Sequence, residues 1–155
     1  MDYEISEYDR DGYTISTDRS RLDLDVVHGY LSRSYWCAGV PRTLLEKAIR
    51  NSFCLGLYHD GGQVGFARVV TDFARFGNLC DVFVLKPHRG KGLGTWLVQT
   101  VIESPLLQEL RSISLGTRDA HEVYVRCGFQ RIDNASAMMI FKREMSWWRS
   151  DMVAE

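Results

Sequence analysis

Apolar and polar positions alternate along the chain with two periods, one typical of strands and one typical of helices. Apolar runs, most of them rich in branched and aromatic side chains, predict strands at Tyr13–Thr17, Phe53–Tyr58, Val64–Val70, Leu79–Leu85, Ser112–Leu115 and Ala137–Phe141. Apolar residues at helical spacing and helix-opening prolines predict helices at Asp25–Ser34, after Pro41, from Leu93, after Ser104-Pro105 and at Asp119–Cys127. The polar stretch 59–62 between two of the strands indicates a hairpin.

In this order a hairpin comes early and helices alternate with strands later. Short connections between such elements favour one compact α/β fold with a mixed sheet covered by helices on both faces. The chain has 155 residues, a length that fits one domain over residues 1–155. The predicted elements place the core of that domain at about residues 13–141.

The composition is that of an ordinary globular protein, with 45% apolar and 25% charged residues and a mean hydropathy of −0.20. The formal net charge is −1, so the basic excess of a dedicated nucleic-acid binder is missing. No apolar run approaches the ~20 residues that span a bilayer, and the polar start of the chain predicts no secretory signal. We therefore expect a cytoplasmic protein that binds neither nucleic acid nor membranes.

The four cysteines, at positions 37, 54, 80 and 127, show no metal-binding pattern. They form no Cys-x-x-Cys pair, and no nearby histidine completes a zinc spacing. Three of them lie in apolar surroundings, which predicts reduced thiols and no metal site.

A glycine-rich turn between a predicted strand and a predicted helix carries the most information about chemistry. It contains Gly90, Gly92 and Gly94, with Arg89 and Lys91 between them. Glycines let a backbone approach a ligand closely, and the first turn of a helix offers unpaired N–H groups and a positive dipole end. This combination predicts a site for a phosphate or diphosphate. The spacing is neither that of a P-loop nor that of a dinucleotide-binding fingerprint, and a tight turn with solvated basic residues is the alternative.

Two motifs together resemble those of the GNAT acetyltransferase superfamily. The first is Arg89-x-x-Gly92-x-Gly94, and the second places Tyr124 four residues before Gly128-Phe129. The resemblance covers most of the chain by element order and is specific at 79–96 and 115–129. It implies a mostly antiparallel sheet, binding of acetyl-CoA as a cosubstrate without a metal, and direct acetyl transfer to a primary amine.

The resemblance also implies roles for individual residues. The strand before the glycine turn would pair its backbone with the pantetheine arm, and the turn would hold the diphosphate. Tyr124 would be the general acid that protonates the leaving thiolate. The implied cofactor-binding residues are Val82, Phe83, Val84, Arg89, Gly90, Lys91, Gly92, Leu93, Gly94 and Thr95.

The sequence departs from the family pattern at three places. Pro87 stands one residue later than usual, and Thr117 stands where many relatives have an asparagine. The segment 112–114 holds no carboxylate, although relatives often carry a glutamate base there. The general base is therefore open, with Asp81, Asp119, His121 or a water chain as candidates. We take Asp81 as a second catalytic candidate, and a hydrogen-bonded structural carboxylate is an equally good interpretation of it.

The acceptor is a small-molecule amine or a peptide amine, and the sequence does not separate the two. By the same resemblance, Tyr35 and Trp36 line the acceptor pocket or pack the first helices, whereas packing is favoured for Tyr30. Trp147 and Trp148 are a candidate dimer contact. A non-catalytic module that binds or senses acyl-CoA is the alternative function. The missing strand carboxylate favours that module, and Tyr124 favours the enzyme.

Overall fold

The computed structural model describes residues 2–133 and 137–148. Within them one sheet has the strand order β1-β2-β3-β4-β5-β6, and every neighbouring pair is antiparallel except β5 and β6. The strands are β1 (Glu7–Arg10), β2 (Tyr13–Ser16), β3 (Phe53–His59), β4 (Gly62–Thr71), β5 (Phe76–Val84) and β6 (Ser112–Ser114). The helices are α1 (Leu24–Leu31), α2 (Arg42–Arg50), α3 (Leu93–Glu103) and α4 (His121–Arg126).

Aspartate-glycine pairs make the turns of two hairpins. Asp60 and Gly61 join β3 to β4 with φ of 49° and 79°, and Asp11 and Gly12 join β1 to β2 with φ of 51° and 82°. Two-residue turns with positive φ at both positions match the right-handed twist of the strands that they connect. These turns fix the register within the pairs β1–β2 and β3–β4.

Helices cover both faces of the sheet, as the sequence predicts. Helix α3 packs on one face with alternate residues of the central strands, and α1 and α2 pack on the other. The first face includes Ile15, Phe53, Leu55, Leu57, Ala67, Val69, Leu79, Leu97, Val98 and Val101. The second face includes Val27, Leu31, Leu45, Ile49, Cys54, Phe66 and Phe83. Every residue of β3 except His59 is buried, and successive side chains pack on opposite faces because a strand has a two-residue period.

The parallel pair β5 and β6 is short and opens into a fork. Residues Phe76–Asn78 pair with Ser112–Ser114, but β5 continues to Val84 after β6 has ended. One edge of β5 beyond Asn78 therefore has no strand beside it in the described chain. This fork lies directly before the glycine-rich turn.

The predicted strand Ala137–Phe141 is wrong. Residues Met138–Phe141 belong to no strand, and their exposed fractions range from 65% to 95%. An apolar run forms a strand only when a sheet edge and a core face are available to it, and this run contacts neither. The proposed contact through Trp147 and Trp148, of which Trp148 is 45% exposed, stays a prediction.

The structure differs from the predicted helices at two places, and it contains no candidate membrane span among the described residues. Ser104-Pro105 opens a single 3-10 turn, Pro105–Leu107, rather than an α-helix, and the helix predicted from Asp119 begins at His121. Across the described residues, no helix combines the length and apolar character that crossing a bilayer requires.

The hydroxyl of Tyr58 is buried and has no hydrogen-bond partner among the described residues. Burial also raises the pKa of Tyr58 to about 12. Because an orphaned buried hydroxyl costs free energy, we expect Tyr58→Phe to keep the free energy of unfolding or raise it by about 1 kcal/mol. Urea denaturation measures this, and a loss of stability would contradict it. Tyr13→Phe, which removes two hydrogen bonds, is the matched variant that should lose stability.

Candidate active site

A cavity of about 890 Å³ lies at the fork, between β5, the glycine-rich turn, α4 and the loop after α1. It brings together most of the residues that the sequence predicts for the site. The predicted residues in its lining are Val82, Phe83, Val84, Arg89, Gly90, Gly92, Leu93, Gly94, Thr95 and Tyr124. The predicted residues Lys91 and Asp81 lie outside the lining.

The open edge of β5 presents backbone groups to the cavity. Leu85 N donates to Val64 O at 2.8 Å, so this side of the chain faces β4. By the alternation of an antiparallel ladder, Phe83 also faces β4, whereas Val82 and Val84 face the open edge. Arg89 Nε donates to Val84 O at 2.8 Å and occupies that carbonyl. The N–H and C=O of Val82 and the N–H of Val84 remain for a ligand.

The glycine-rich turn takes the conformation that its glycines allow. Gly90 and Gly92 have φ of 79° and 76°, in the left-handed region, and α3 begins directly after Gly92. The N–H groups of residues 90–95 donate to no other backbone group of the described chain. Arg89, which the family resemblance also assigns to cofactor binding, has a paired N–H that donates to Lys86 O at 3.2 Å. The unpaired N–H groups therefore start at Gly90.

Two side chains that are distant in sequence, Tyr13 and His59, form the contacts that support this turn. Lys91 Nζ donates to Tyr13 Oη at 3.3 Å, and that hydroxyl bonds His88 Nδ1 at 2.8 Å. The Tyr13 ring stacks on His59, with the ring centroids 4.4 Å apart. Lys91 thus places its ammonium group beside the turn and joins the turn to β2. Sequence reasoning missed Tyr13 and His59, which carry no local motif.

Pro87 lies inside a 3-10 turn, Lys86–His88, and leaves the turn that follows intact.

Tyr124 owes its position to the end of α4. Gly128 has φ of 96°, its N–H donates to Val125 O, and Phe129 N donates to Tyr124 O at 3.1 Å. This pair of bonds is the Schellman motif, which places the residue after the glycine against the residue five positions earlier. The rings of Tyr124 and Phe129 meet edge to face at 5.8 Å. The spacing of tyrosine, glycine and phenylalanine thus has a structural cause.

The environment of Tyr124 keeps its hydroxyl protonated. Burial raises the pKa of Tyr124 above its ordinary value of 10, and Tyr35 and Cys127 add to the shift in the same direction. A phenol that stays neutral at physiological pH can donate a proton but cannot act as a base. Its position in the cavity lining and its protonation state both suit a general acid.

Of the candidate bases, Asp119 alone lines the cavity, and His121 lies outside its lining. The Asp119 side chain is 66% exposed and lies 3.6 Å from Arg118 Nη2. Thr117, at the position of the family's asparagine, accepts a hydrogen bond from Ala120 N at 3.1 Å. Thr117 therefore holds the loop before α4.

Asp81 is buried, with a side chain that is 6% exposed, and both its oxygens are engaged. Oδ2 accepts from Arg68 Nε at 2.7 Å, and Oδ1 accepts from Trp36 Nε1 at 2.9 Å. This arrangement favours the interpretation of Asp81 as a structural carboxylate. Its role as a base stays a prediction.

Aromatic residues of α1 and the following loop form a wall of the cavity that contacts β5. Tyr30 stacks on Phe83 with 4.1 Å between the ring centroids, and its hydroxyl accepts from Arg89 Nη2 at 3.1 Å. Tyr35 Oη accepts from Arg118 N at 3.1 Å, and the Arg118 guanidinium lies 4.0 Å from the centre of the Tyr35 ring. Tyr30 thus both packs and lines the cavity, and Tyr35 joins the wall to the loop before α4.

Burial disfavours the thiolate form of all four cysteines. All four are free. Burial raises the pKa of Cys37 and Cys54 to about 12 and that of Cys80 to about 11, so the reactive thiolate is scarce. No group of three metal-ligating side chains occurs in the part of the chain that the structure describes.

Comparison with known proteins agrees with this geometry. Residues 23–129 match the model of the acetyltransferase (GNAT) family. A candidate acetyltransferase of the fungus Gibberella zeae is 33% identical over 138 residues, which are 74% of this chain and 77% of that protein. The crystal structure of a candidate GNAT acetyltransferase from Xanthomonas campestris pv. campestris is 42% identical, with a TM-score of 0.81, over 84% of this chain and 93% of that one.

A more distant structure, from Mycobacterium tuberculosis, was solved in complex with CoA. It is 20% identical, with a TM-score of 0.62, over 77% of this chain and 72% of that one, and therefore shares the fold. The sheet order, the fork and the family match lead to one conclusion. The chain belongs to the acetyltransferase (GNAT) family.

Proposed function

We propose that this protein transfers an acetyl group from acetyl-CoA directly to a primary amine, with Tyr124 as the general acid. One observation carries the proposal: the open edge of β5, the glycine-rich turn with its unpaired N–H groups at residues 90 and 92–95, and Tyr124 line a single cavity. In a family member, this arrangement offers a site for the diphosphate and the pantetheine arm of the cosubstrate, with the proton donor Tyr124 in the same cavity.

The residues of the glycine-rich turn fit a diphosphate. Their unpaired N–H groups and the N-terminus of α3 favour negative charge, and a Cβ at Gly90 would stand in open space. Arg89 lines the same cavity, and Lys91 adds a second positive charge beside the turn. The free backbone groups of Val82 and Val84 suit the amides of a pantetheine arm, which would extend β5 by strand-like pairing.

In the reaction, the neutral amine attacks the thioester carbonyl, the C–N bond forms and the C–S bond breaks. Tyr124 Oη gives its proton to the departing thiolate and recovers one from solvent. The amine loses a proton to water or to Asp119, the candidate carboxylate in the cavity lining. Neutralising an alkyl amine at pH 7 costs about 4.6 kcal/mol, whereas alignment of two reactants can supply roughly 7–11 kcal/mol. Positioning is therefore the larger contribution.

The acceptor side of the cavity fits a small-molecule or peptide amine with apolar surface, because Tyr35 and Trp36 form its wall. Steady-state thiol release from acetyl-CoA, measured against a panel of aliphatic, aromatic and peptide amines, tests the function. We expect amine-dependent release of free CoA. If the protein binds CoA but releases no thiol with any amine, it is the non-catalytic binding module instead.

A further inference from the structure

The side-chain alternation of strand β5 is interrupted in its middle, at Asp81, so that residues before and after Asp81 are out of step in the face they occupy. Leu79 packs on the α3 face of the sheet, whereas Phe83 packs on the opposite face with α1 and α2. Residues four apart in a regular strand face the same side. The pairing explains the change, because Arg68 pairs with Cys80 and Phe66 pairs with Phe83, so β5 holds one extra residue at this point. Such an insertion is a β-bulge.

Asp81 occupies the strained position of this bulge, with φ of 55°. Few residues other than glycine adopt this backbone conformation, and aspartate and asparagine are among those that tolerate it best. The bulge points the backbone of Val82 and Val84 to the open edge and places Phe83 under Tyr30. The residue that shapes the cosubstrate side of the cavity is thus also the residue whose carboxylate is fully engaged.

The carboxylate of Asp81 links three parts of the chain. Arg68 on β4 donates to one of its oxygens, and Arg68 Nη1 also donates to Ser52 Oγ at 2.9 Å, just after α2. Trp36, on the loop between α1 and α2, donates to its other oxygen. Trp36 lines the cavity and meets its neighbour Tyr35 edge to face at 5.0 Å. The bond from Asp81 therefore fastens the acceptor wall to the bulge of β5.

We propose that Asp81 is a positioning residue, which holds Trp36 and through it the acceptor wall, and that it is not the general base. This inference rests on the proposed acetyl transfer. A base must offer an oxygen to the amine, whereas both oxygens of Asp81 accept from Arg68 and Trp36 and its side chain is almost fully enclosed. The guanidinium and the indole N–H fix the carboxylate, and the carboxylate fixes the indole.

Two variants break the same bond from opposite ends. Asp81→Asn keeps a side chain that tolerates the positive φ, but its single amide oxygen cannot accept from both donors in the same way. Trp36→Phe keeps an aromatic ring and removes only the N–H donor. Trp148→Phe makes the same change in the exposed tail and serves as the control. Asp81→Asn leaves the Arg68 charge unpaired. If that variant therefore does not fold, Trp36→Phe alone tests whether the bond between Asp81 and Trp36 positions the acceptor wall.

The first measurement needs no acceptor. In hydrogen–deuterium exchange, we expect the amides of residues 32–40 to exchange about tenfold faster in Trp36→Phe and in Asp81→Asn, with exchange at residues 93–101 unchanged. Trp148→Phe should match the wild type at both places. Unchanged exchange at residues 32–40 in Trp36→Phe would overturn the proposal, whether or not the protein proves to be an acetyltransferase.

The second measurement separates positioning from base catalysis. With the best amine of the panel, we expect both variants to raise the KM for the amine about tenfold. The KM for acetyl-CoA and the kcat at saturation should stay within twofold of the wild type, and the double variant should be no worse than Asp81→Asn. A base role predicts a different pattern: Asp81→Asn would lower kcat at least 100-fold and remove the acid limb of the pH profile, whereas Trp36→Phe would keep that limb.

Discussion

We expect Gly92→Asp to lower the affinity of the protein for CoA by about 100-fold or more. Gly92 has φ of 76° and stands directly before α3, among the unpaired N–H groups of the turn. An aspartate there puts a carboxylate where the diphosphate would bind. Two unit charges 4 Å apart interact by about 4 kcal/mol at an effective dielectric constant of about 20, and every 1.4 kcal/mol is tenfold in affinity. Isothermal titration calorimetry with CoA measures the change.

Two further substitutions separate charge from backbone strain. Gly92→Ala strains the same φ without adding charge and should weaken binding by roughly tenfold, because the left-handed conformation costs about 1–2 kcal/mol for such a residue. Gly61→Asp places the same side chain at φ of 79° in the β3–β4 turn, where a Cβ meets nothing within 4 Å. Gly61→Asp should bind CoA like the wild type. Wild-type affinity in Gly92→Asp would show that the turn is not the anion site.

The second large effect that we expect is a lower kcat in Tyr124→Phe with an unchanged affinity for CoA. Phenylalanine keeps the ring that packs against Phe129 and removes only the proton donor. Because a positioned acid contributes about 10²–10⁴-fold, kcat should fall within that range. Steady-state thiol release gives kcat, and calorimetry on the same samples gives the dissociation constant of CoA.

The matched control for this change is Tyr58→Phe. Tyr58 is also a tyrosine whose pKa is raised by burial, but it lies outside the cavity. It should turn over substrate like the wild type. Undiminished kcat in Tyr124→Phe would reject the acid role. A parallel loss of CoA affinity would show that the hydroxyl binds the cosubstrate rather than protonating the thiolate.

Apolar periodicity was enough to predict the elements that build the core. The helices on both faces and the central strands follow directly from it, since their buried side chains recur at the helical or strand period. Strand β1 was missed because Glu7–Arg10 is polar and mostly exposed, although Asp11-Gly12 directly after it is a hairpin signal. The run Ala137–Phe141 misled for the opposite reason. Its composition suits a strand, but no strand of the described chain pairs with it.

Some residues of the candidate site belong to local sequence motifs and could be predicted, whereas the residues that support them are distant in sequence and could not. The glycine-rich turn and Tyr124 are local motifs, and each is explained by local geometry. The residues that support them come from other strands, so no spacing along the chain announces Tyr13 or His59. Arg68 did carry a signal. A single arginine in the otherwise apolar run 64–70 needs a buried partner, and Asp81 in the next strand is that partner.

A crystal structure of the protein with CoA bound is the most direct measurement of how the fork and the glycine-rich turn work together. It should show the diphosphate within hydrogen-bond distance of the N–H groups of residues 90–95 and the pantetheine arm paired with Val82 and Val84. The sulfur should lie beside Tyr124 Oη. A diphosphate bound away from residues 90–95, or a sulfur out of reach of Tyr124, would contradict both the binding site and the chemistry proposed for it.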